Sequence, residues 1–195
     1  QYTFPKSDQA HIILDLKSGI YNYDEKNVWT IVRVENDSTI TGYRQTSGWA
    51  RTRKVYFAMT FSKAFKSYGQ EKQPGQVYRG FWGRFDQEHN FPQMAGNDLR
   101  LYFDFDTEAN EAIQVKMALS PVSTEGALKN MEAEVPGWDF NAVKQQARDT
   151  WNKELQKVTV ETLEESDKVN LYTAMYHAFL GPTVYMDVDG KYMGL

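Results

Sequence analysis

Apolar residues recur at every second position through the first two thirds of the chain, then change period. In Leu99-Arg100-Leu101-Tyr102-Phe103-Asp104-Phe105 alternation is strict, the spacing of a strand that buries one face. Beyond a polar turn at 106–111, Ile113, Val115, Met117 and Leu119 share one face and Gln114 and Lys116 the other. That pattern predicts a half-solvated antiparallel strand meeting 99–105 with its apolar side inward. Val55-Tyr56-Phe57-Ala58-Met59-Thr60-Phe61 is the densest strand candidate, and His11-Ile12-Ile13-Leu14-Asp15-Leu16 closes at the turn-like Lys17-Ser18-Gly19. The β-branched runs 28–34 and 39–43, separated by Glu35-Asn36-Asp37-Ser38, predict a hairpin. Between residues 67 and 97 glycine and proline break the pattern, with short strands at 77–81. Several short strands at this spacing predict a sandwich.

The last third is helical. Pro136-Gly137 is a breaker, Asp139 is placed as an N-cap, and Phe140, Val143, Ala147, Trp151 and Leu155 step by three or four along one face. A second helix is predicted over 164–180, with the stripe Tyr172, Met175, Tyr176 and Phe179, ended by Gly181-Pro182. A helical turn is predicted at 125–131 and a brief strand at 158–160. The chain begins at Gln1 and breaks off after Lys191-Tyr192-Met193-Gly194-Leu195, and so reads as a piece of something longer. Strands first and helices after fit an α+β domain, or a β domain followed by the opening of a helical one; the abrupt end favours the second.

Composition narrows the functional classes. The 195 residues carry 22 Lys+Arg against 26 Asp+Glu, a formal charge of −4, and 41% are hydrophobic. That supports a real core and gives no basic surface for a phosphate backbone, so no nucleic-acid partner is expected. No apolar run approaches the ~18 residues of a membrane span. The chain has no cysteine, which removes disulfides, thiolate metal sites and a Cys nucleophile.

Candidate chemistry is sparse. His11, His89 and His177 stand apart, without metal-ligand spacing. Asp187-Val188-Asp189-Gly190 looks like the opening of a calcium loop, but no bidentate Glu follows, and a polar turn is the simpler account. Trp49 follows Gly48 in a polar loop between two strands, and Phe81-Trp82-Gly83 lies in another. Flat aromatics beside fixed polar groups suit the apolar face of a pyranose; capping of a sandwich edge is the other role open to Trp49.

Taken together, the segments Tyr2-Thr3-Phe4-Pro5, Gly42-Tyr43-Arg44 through Gly48-Trp49-Ala50, and Glu125-Gly126-Ala127 with Asn130 form an ordered set. It continues with Glu134-Val135-Pro136-Gly137-Trp138-Asp139-Phe140, Leu171-Tyr172-Thr173-Ala174-Met175-Tyr176-His177, Pro182, and Asp187-Val188-Asp189-Gly190-Lys191-Tyr192-Met193-Gly194. This set resembles glycoside hydrolase family 92, the exo-acting α-mannosidases. The resemblance implies a mainly β fold: a supersandwich-like antiparallel β-sandwich over 1–135, incomplete at its start, a helical linker over 136–163, and over 164–195 the first helix of an (α/α)6 catalytic barrel. It implies a periplasmic or secreted, calcium-dependent inverting enzyme acting on α-mannoside glycans, with α-1,2 the expected linkage. An inverting pair of carboxyl groups stands about 6.5–9.5 Å apart to admit water. By the resemblance that pair and the calcium ligands lie beyond Leu195, so neither a catalytic residue nor a metal ligand is assigned here. Substrate-binding candidates are Trp49 and Arg44 from the sandwich, and Asp187, Asp189 and Tyr192 after the barrel helix. Asp187 and Asp189 either accept hydrogen bonds from sugar hydroxyls or orient a neighbouring loop. The expected partner is the rest of the enzyme, and the apolar stripe of the last helix, severed from its barrel, favours self-association. A free-standing mannose-binding module and an inert scaffold are the alternatives.

Overall fold

The protein is described by a computed structural model covering residues 1–19, 26–48, 50, 52–71 and 92–194. Trp49, the strands expected at 77–81, the Phe81-Trp82-Gly83 loop and His89 lie outside the described residues. The chain divides into two compact units, Gln1–Pro136 with Met186–Leu195, and Gly137–Tyr185.

The first unit is built from antiparallel sheets. Five strands, in the order β10 (Val115–Ser120), β5 (Arg53–Phe61), β4 (Thr39–Thr46), β3 (Asn27–Val34), β7 (Gln93–Gly96), form one sheet. Three more, β2 (Ser7–Asp15), β8 (Arg100–Thr107) and β6 (Ser67–Gln70), form the second, and β1 (Tyr2–Phe4) pairs with β9 (Glu111–Ile113). The two main sheets share one core. Val32, Ile40, Phe57, Met59 and Phe61 of the wide sheet meet Ala10, Ile12, Leu101, Phe103 and Phe105 of the narrow one. Phe103 is fully buried, with the Phe61 and Phe65 rings at 5.0 and 5.2 Å. Each such side chain contributes about 1.5–3 kcal/mol through burial. The hairpin of β3 and β4 forms as the β-branched runs predict, closed by the Glu35 N–H donating to the Thr39 carbonyl at 2.9 Å. At Gly42 in β4 a Cβ would stand 2.2 Å from the Ile31 carbonyl oxygen and 2.8 Å from Phe57 Cζ, so only glycine fits between the strands.

One expected pairing is wrong. β8 and β10 do not meet across the turn at 106–111. A turn with Asn110 at φ 62° leads into β9, which pairs with β1, and the chain then crosses to the other sheet, where β10 pairs with β5. The apolar face points inward as expected only at its start, where Ile113 is fully buried and Val115 packs against the core. Met117 and Leu119 are 48% and 57% exposed, because β10 is the edge of the wide sheet and the narrow sheet has only three strands. Towards the end of β10 the side bearing Ala118 and Ser120 is the better covered one. Over it lies helix α1 (Thr124–Glu134), whose Ala127 and Met131 pack with Ala58 and Ala118. Ser123 caps α1, accepting from Gly126 N–H at 3.0 Å, and Lys116 Nζ donates to the Val135 carbonyl at the other end at 3.0 Å.

The second unit holds α2 (Phe140–Leu155) and α3 (Glu165–Phe179). Asp139 caps α2, as predicted, through the Ala142 N–H at 2.9 Å. The brief strand expected at 158–160 does not form: Val158 N–H closes back on the Leu155 carbonyl, and the Val158 carbonyl accepts from the Tyr172 hydroxyl at 3.0 Å. The Trp151 and Tyr176 rings meet at 4.6 Å, tilted by 59°, yet no residue of α2 or α3 is buried, and Tyr176 and Phe179 remain 39% and 46% exposed.

Candidate functional site

Register brings Arg44 and Ser120, on which Asp187 rests, to one end of the wide sheet. Tyr43 opposes Tyr56 and Tyr56 opposes Ser120, and the two tyrosine rings lie 5.6 Å apart. Directly opposed residues share a face, so this row lies on the side that α1 covers. Arg44 opposes Thr30, which is fully buried, and so belongs to the core face.

Arg44 is a strut. Its Nε donates to Asn27 Oδ1 at 2.9 Å, Nη1 to the Ser18 carbonyl at 3.0 Å and Nη2 to the Lys17 carbonyl at 3.1 Å. These bonds tie β4 to the turn that follows β2, across the two sheets. Burial pulls the guanidinium pKa down from its ordinary value, with Asp15 opposing the shift.

Asp187 and Asp189 have different surroundings. Asp187 is 3% exposed. Ser120 Oγ donates to its Oδ2 at 2.7 Å and Asn130 Nδ2 to its Oδ1 at 2.8 Å, while Val188 N–H donates to Asn130 Oδ1 at 2.9 Å. Asp189 lies on the surface between two lysines, with Lys191 Nζ at 2.9 Å and Lys129 Nζ at 3.3 Å. Hydrogen bonding to Lys191, joined by Lys129, lowers its carboxyl to about 2. The turn between them is tight: Asp187 N–H donates to the Lys191 carbonyl, Gly190 N–H to the Asp187 carbonyl, both at 2.8 Å, and Gly190 takes φ 80°. Tyr192 follows, 67% exposed.

Calcium does not fit these residues. Among the described residues no three His, Cys, Asp or Glu groups stand close enough to share a metal ion. The Asp187 oxygens already face protein donors and Asp189 is paired with ammonium groups. Two shallow depressions, of about 550 and 440 Å³, are lined by strand residues such as His11 and Ile13 and include none of the candidates. Sequence reasoning singled out Asp187 but assigned no role to Ser120, Asn130 or Gly126. Only the last two had left a trace, as members of the ordered motif set.

The model of the glycosyl hydrolase family 92 N-terminal domain matches residues 1–120, and that of the family 92 catalytic domain matches residues 126–195. The chain belongs to glycosyl hydrolase family 92. The family 92 α-mannosidase BT3965 from Bacteroides thetaiotaomicron is similar over 98% of this chain, at 39% identity and a TM-score of 0.82. Its complex with mannoimidazole matches at 38% identity and a TM-score of 0.81. The inverting mannosidase BT2199 from the same organism shares the fold, at 23% identity and a TM-score of 0.77 over 98% of this chain. An uncharacterized secreted glycosidase from Arthroderma benhamiae is 29% identical over 90 residues, 43% of this chain and 12% of its own length. This family 92 chain spans 24% of the length of each of those solved mannosidases. The two family matches divide the residues around Asp187: Ser120 ends the N-terminal match, while Gly126, Asn130 and Asp187 fall in the catalytic one.

Proposed function

We propose that this chain is the sandwich and first helices of a calcium-dependent, inverting exo-α-mannosidase of α-1,2 specificity, working in the periplasm or outside the cell on mannose-containing glycans. What supports the reading is the likeness, over 98% of the chain and at 39% identity, to a family 92 α-mannosidase. The match of 126–195 to a catalytic domain weighs against a free-standing binding module.

In this reading the proton donor, the base that activates water and the calcium ligands belong to residues beyond Leu195. The residues present here bind and orient. Trp49 offers an apolar platform to the pyranose face. Asp189 and Tyr192 present an acceptor and a hydroxyl at the surface, and Arg44 braces the strand that leads to Trp49. Asp187 acts from behind them. The half-exposed apolar faces of α2 and α3 are met by the rest of the enzyme, and without it this chain self-associates.

The test is turnover of an aryl α-mannoside by the whole protein. We expect activity that a calcium chelator abolishes, none from this chain alone, and a large loss with Trp49→Ala. Release of mannose by residues 1–195 alone would overturn the reading.

A further inference from the structure

We propose that Asp187 is a positioning residue: its carboxylate seats the turn at 187–191 on the sandwich unit and so fixes where Asp189 and Tyr192 stand. The catalytic consequence rests on the mannosidase reading above; the seating itself does not.

The polarity of every hydrogen bond around this carboxylate is determined by its neighbours. Ser120 Oγ accepts from the N–H groups of Val122 at 2.9 Å and Ser123 at 3.1 Å. Both its lone pairs are then used, so its one hydrogen is directed to Asp187 Oδ2, 2.7 Å away. Asn130 takes the Val188 N–H on its oxygen, which fixes the orientation of its amide. Its two amide hydrogens go to the Leu119 carbonyl and to Asp187 Oδ1, each at 2.8 Å. The network therefore closes only if residue 187 brings two acceptors, as an ionised Asp does and Asn does not.

Space says the same. A Cβ on Gly126 would lie 2.3 Å from Asp187 Oδ2, so the carboxylate rests directly against the first turn of α1, where the helix dipole favours negative charge. At 3% exposure the group has no open side for a sugar hydroxyl. Its own backbone N–H and carbonyl close the turn through Lys191 and Gly190, so the turn moves with it. Besides the Val188 N–H bond to Asn130, which belongs to the same network, the tether from Lys129 to Asp189 is a solvent-exposed ion pair at 3.3 Å, a weak class of contact.

The experiment uses the whole enzyme carrying Asp187→Asn, Asn130→Asp, or both. Asp187→Asn sets an amide NH2 against another donor, either Ser120 or Asn130. Asn130→Asp sets two carboxylates against each other. The double variant restores donor to acceptor between 130 and 187 and keeps acceptors for Ser120 and Val188, at the cost of one unpartnered amide hydrogen at 187 and of the Leu119 carbonyl losing its donor. We expect kcat/KM on an aryl α-mannoside to fall about tenfold or more in each single variant, and to recover severalfold in the double. Hydrogen exchange at the Val188 and Gly190 amides should speed up in the singles and slow again in the double. If Asp187→Asn does not fold, recovery of folded protein in the double variant reads the same coupling. A double variant no more active than Asp187→Asn, with the Val188 amide as protected in that single variant as in the wild type, is the behaviour of a sugar ligand and would overturn the proposal. Protection that falls and recovers without a parallel change in turnover would remove its catalytic consequence. Should the wild-type enzyme prove inert on mannosides, the functional reading fails, and amide exchange still decides whether Asp187 seats the turn.

Discussion

Replacing Gly126 with alanine sets two effects against each other. Gly126 lies in the first turn of α1, and glycine-to-alanine inside a helix ordinarily gains up to about 1 kcal/mol. Here the new methyl would stand 2.3 Å from Asp187 Oδ2 and 2.7 Å from Ser120 Oγ, where ordinary contact begins at 3.4 Å. The carboxylate must then retreat by about an ångström, with Ser120 pressed from the same side. A hydrogen bond to a charged group is worth about 1.5–3 kcal/mol, and two meet at Asp187. Losing one outweighs the helical gain, so we expect a net loss of about 1–2 kcal/mol. For a chain of this size that lowers Tm by several degrees, at about 2–4 °C per kcal/mol. Thermal unfolding by circular dichroism gives the global figure, and hydrogen exchange at Val188 and Gly190 reports whether the turn has left its seat. A Gly126→Ala protein with wild-type exchange at both amides, or with a raised Tm, would refute the reasoning.

Gly42→Ala should destabilise the sandwich unit by about 1–3 kcal/mol despite the usual preference for alanine over glycine in a strand, because the Ile31 carbonyl that it strikes belongs to the next strand and cannot turn away; chemical denaturation measures this, and a neutral result would count against the fit described for that position. Phe103→Ala should cost about 3–5 kcal/mol by the same measurement, since the ring is fully buried among Phe61, Phe65 and Tyr68. Asp189 has a folded pKa of about 2 against ~3.9 for an unfolded chain, so its stabilising contribution is complete above about pH 4 and disappears as pH falls towards 2. A carboxyl titration followed by NMR should place it there, and Lys191→Met should move it upward; an unchanged Asp189 titration in that variant would show that the lysine is not the cause.

Periodicity made some elements legible and misled on others. The hairpin of β3 and β4, the strict alternation in β8 and the cap at Asp139 are local events, decided within a few residues, and the sequence carries them openly. The pairing of β10 was not local. Its apolar positions matched a buried face, but its place at the edge of a five-stranded sheet left Met117 and Leu119 uncovered, and α1 chose the other side. The site divided in the same way. Asp187 and Asp189 were found as a motif, yet nothing in their spacing separates a buried carboxylate from an exposed one. That distinction comes from Ser120 and Asn130, which are 67 and 57 residues away along the chain. Arg44 was found as well, but its commitment to the Lys17 and Ser18 carbonyls depends on two sheets meeting at that end.

The first unit is discontinuous, since Met186–Leu195 returns to it after the whole of Gly137–Tyr185 has intervened. During synthesis the nascent sandwich therefore waits for nearly fifty further residues to leave the ribosome before Asp187 arrives, with Ser120 and Asn130 hydrated in the interval. A gene trimmed at Pro136 would make that interval permanent, so biophysical work on the isolated sandwich unit should keep the polypeptide through Gly194, even where a shorter stretch looks complete by its strands.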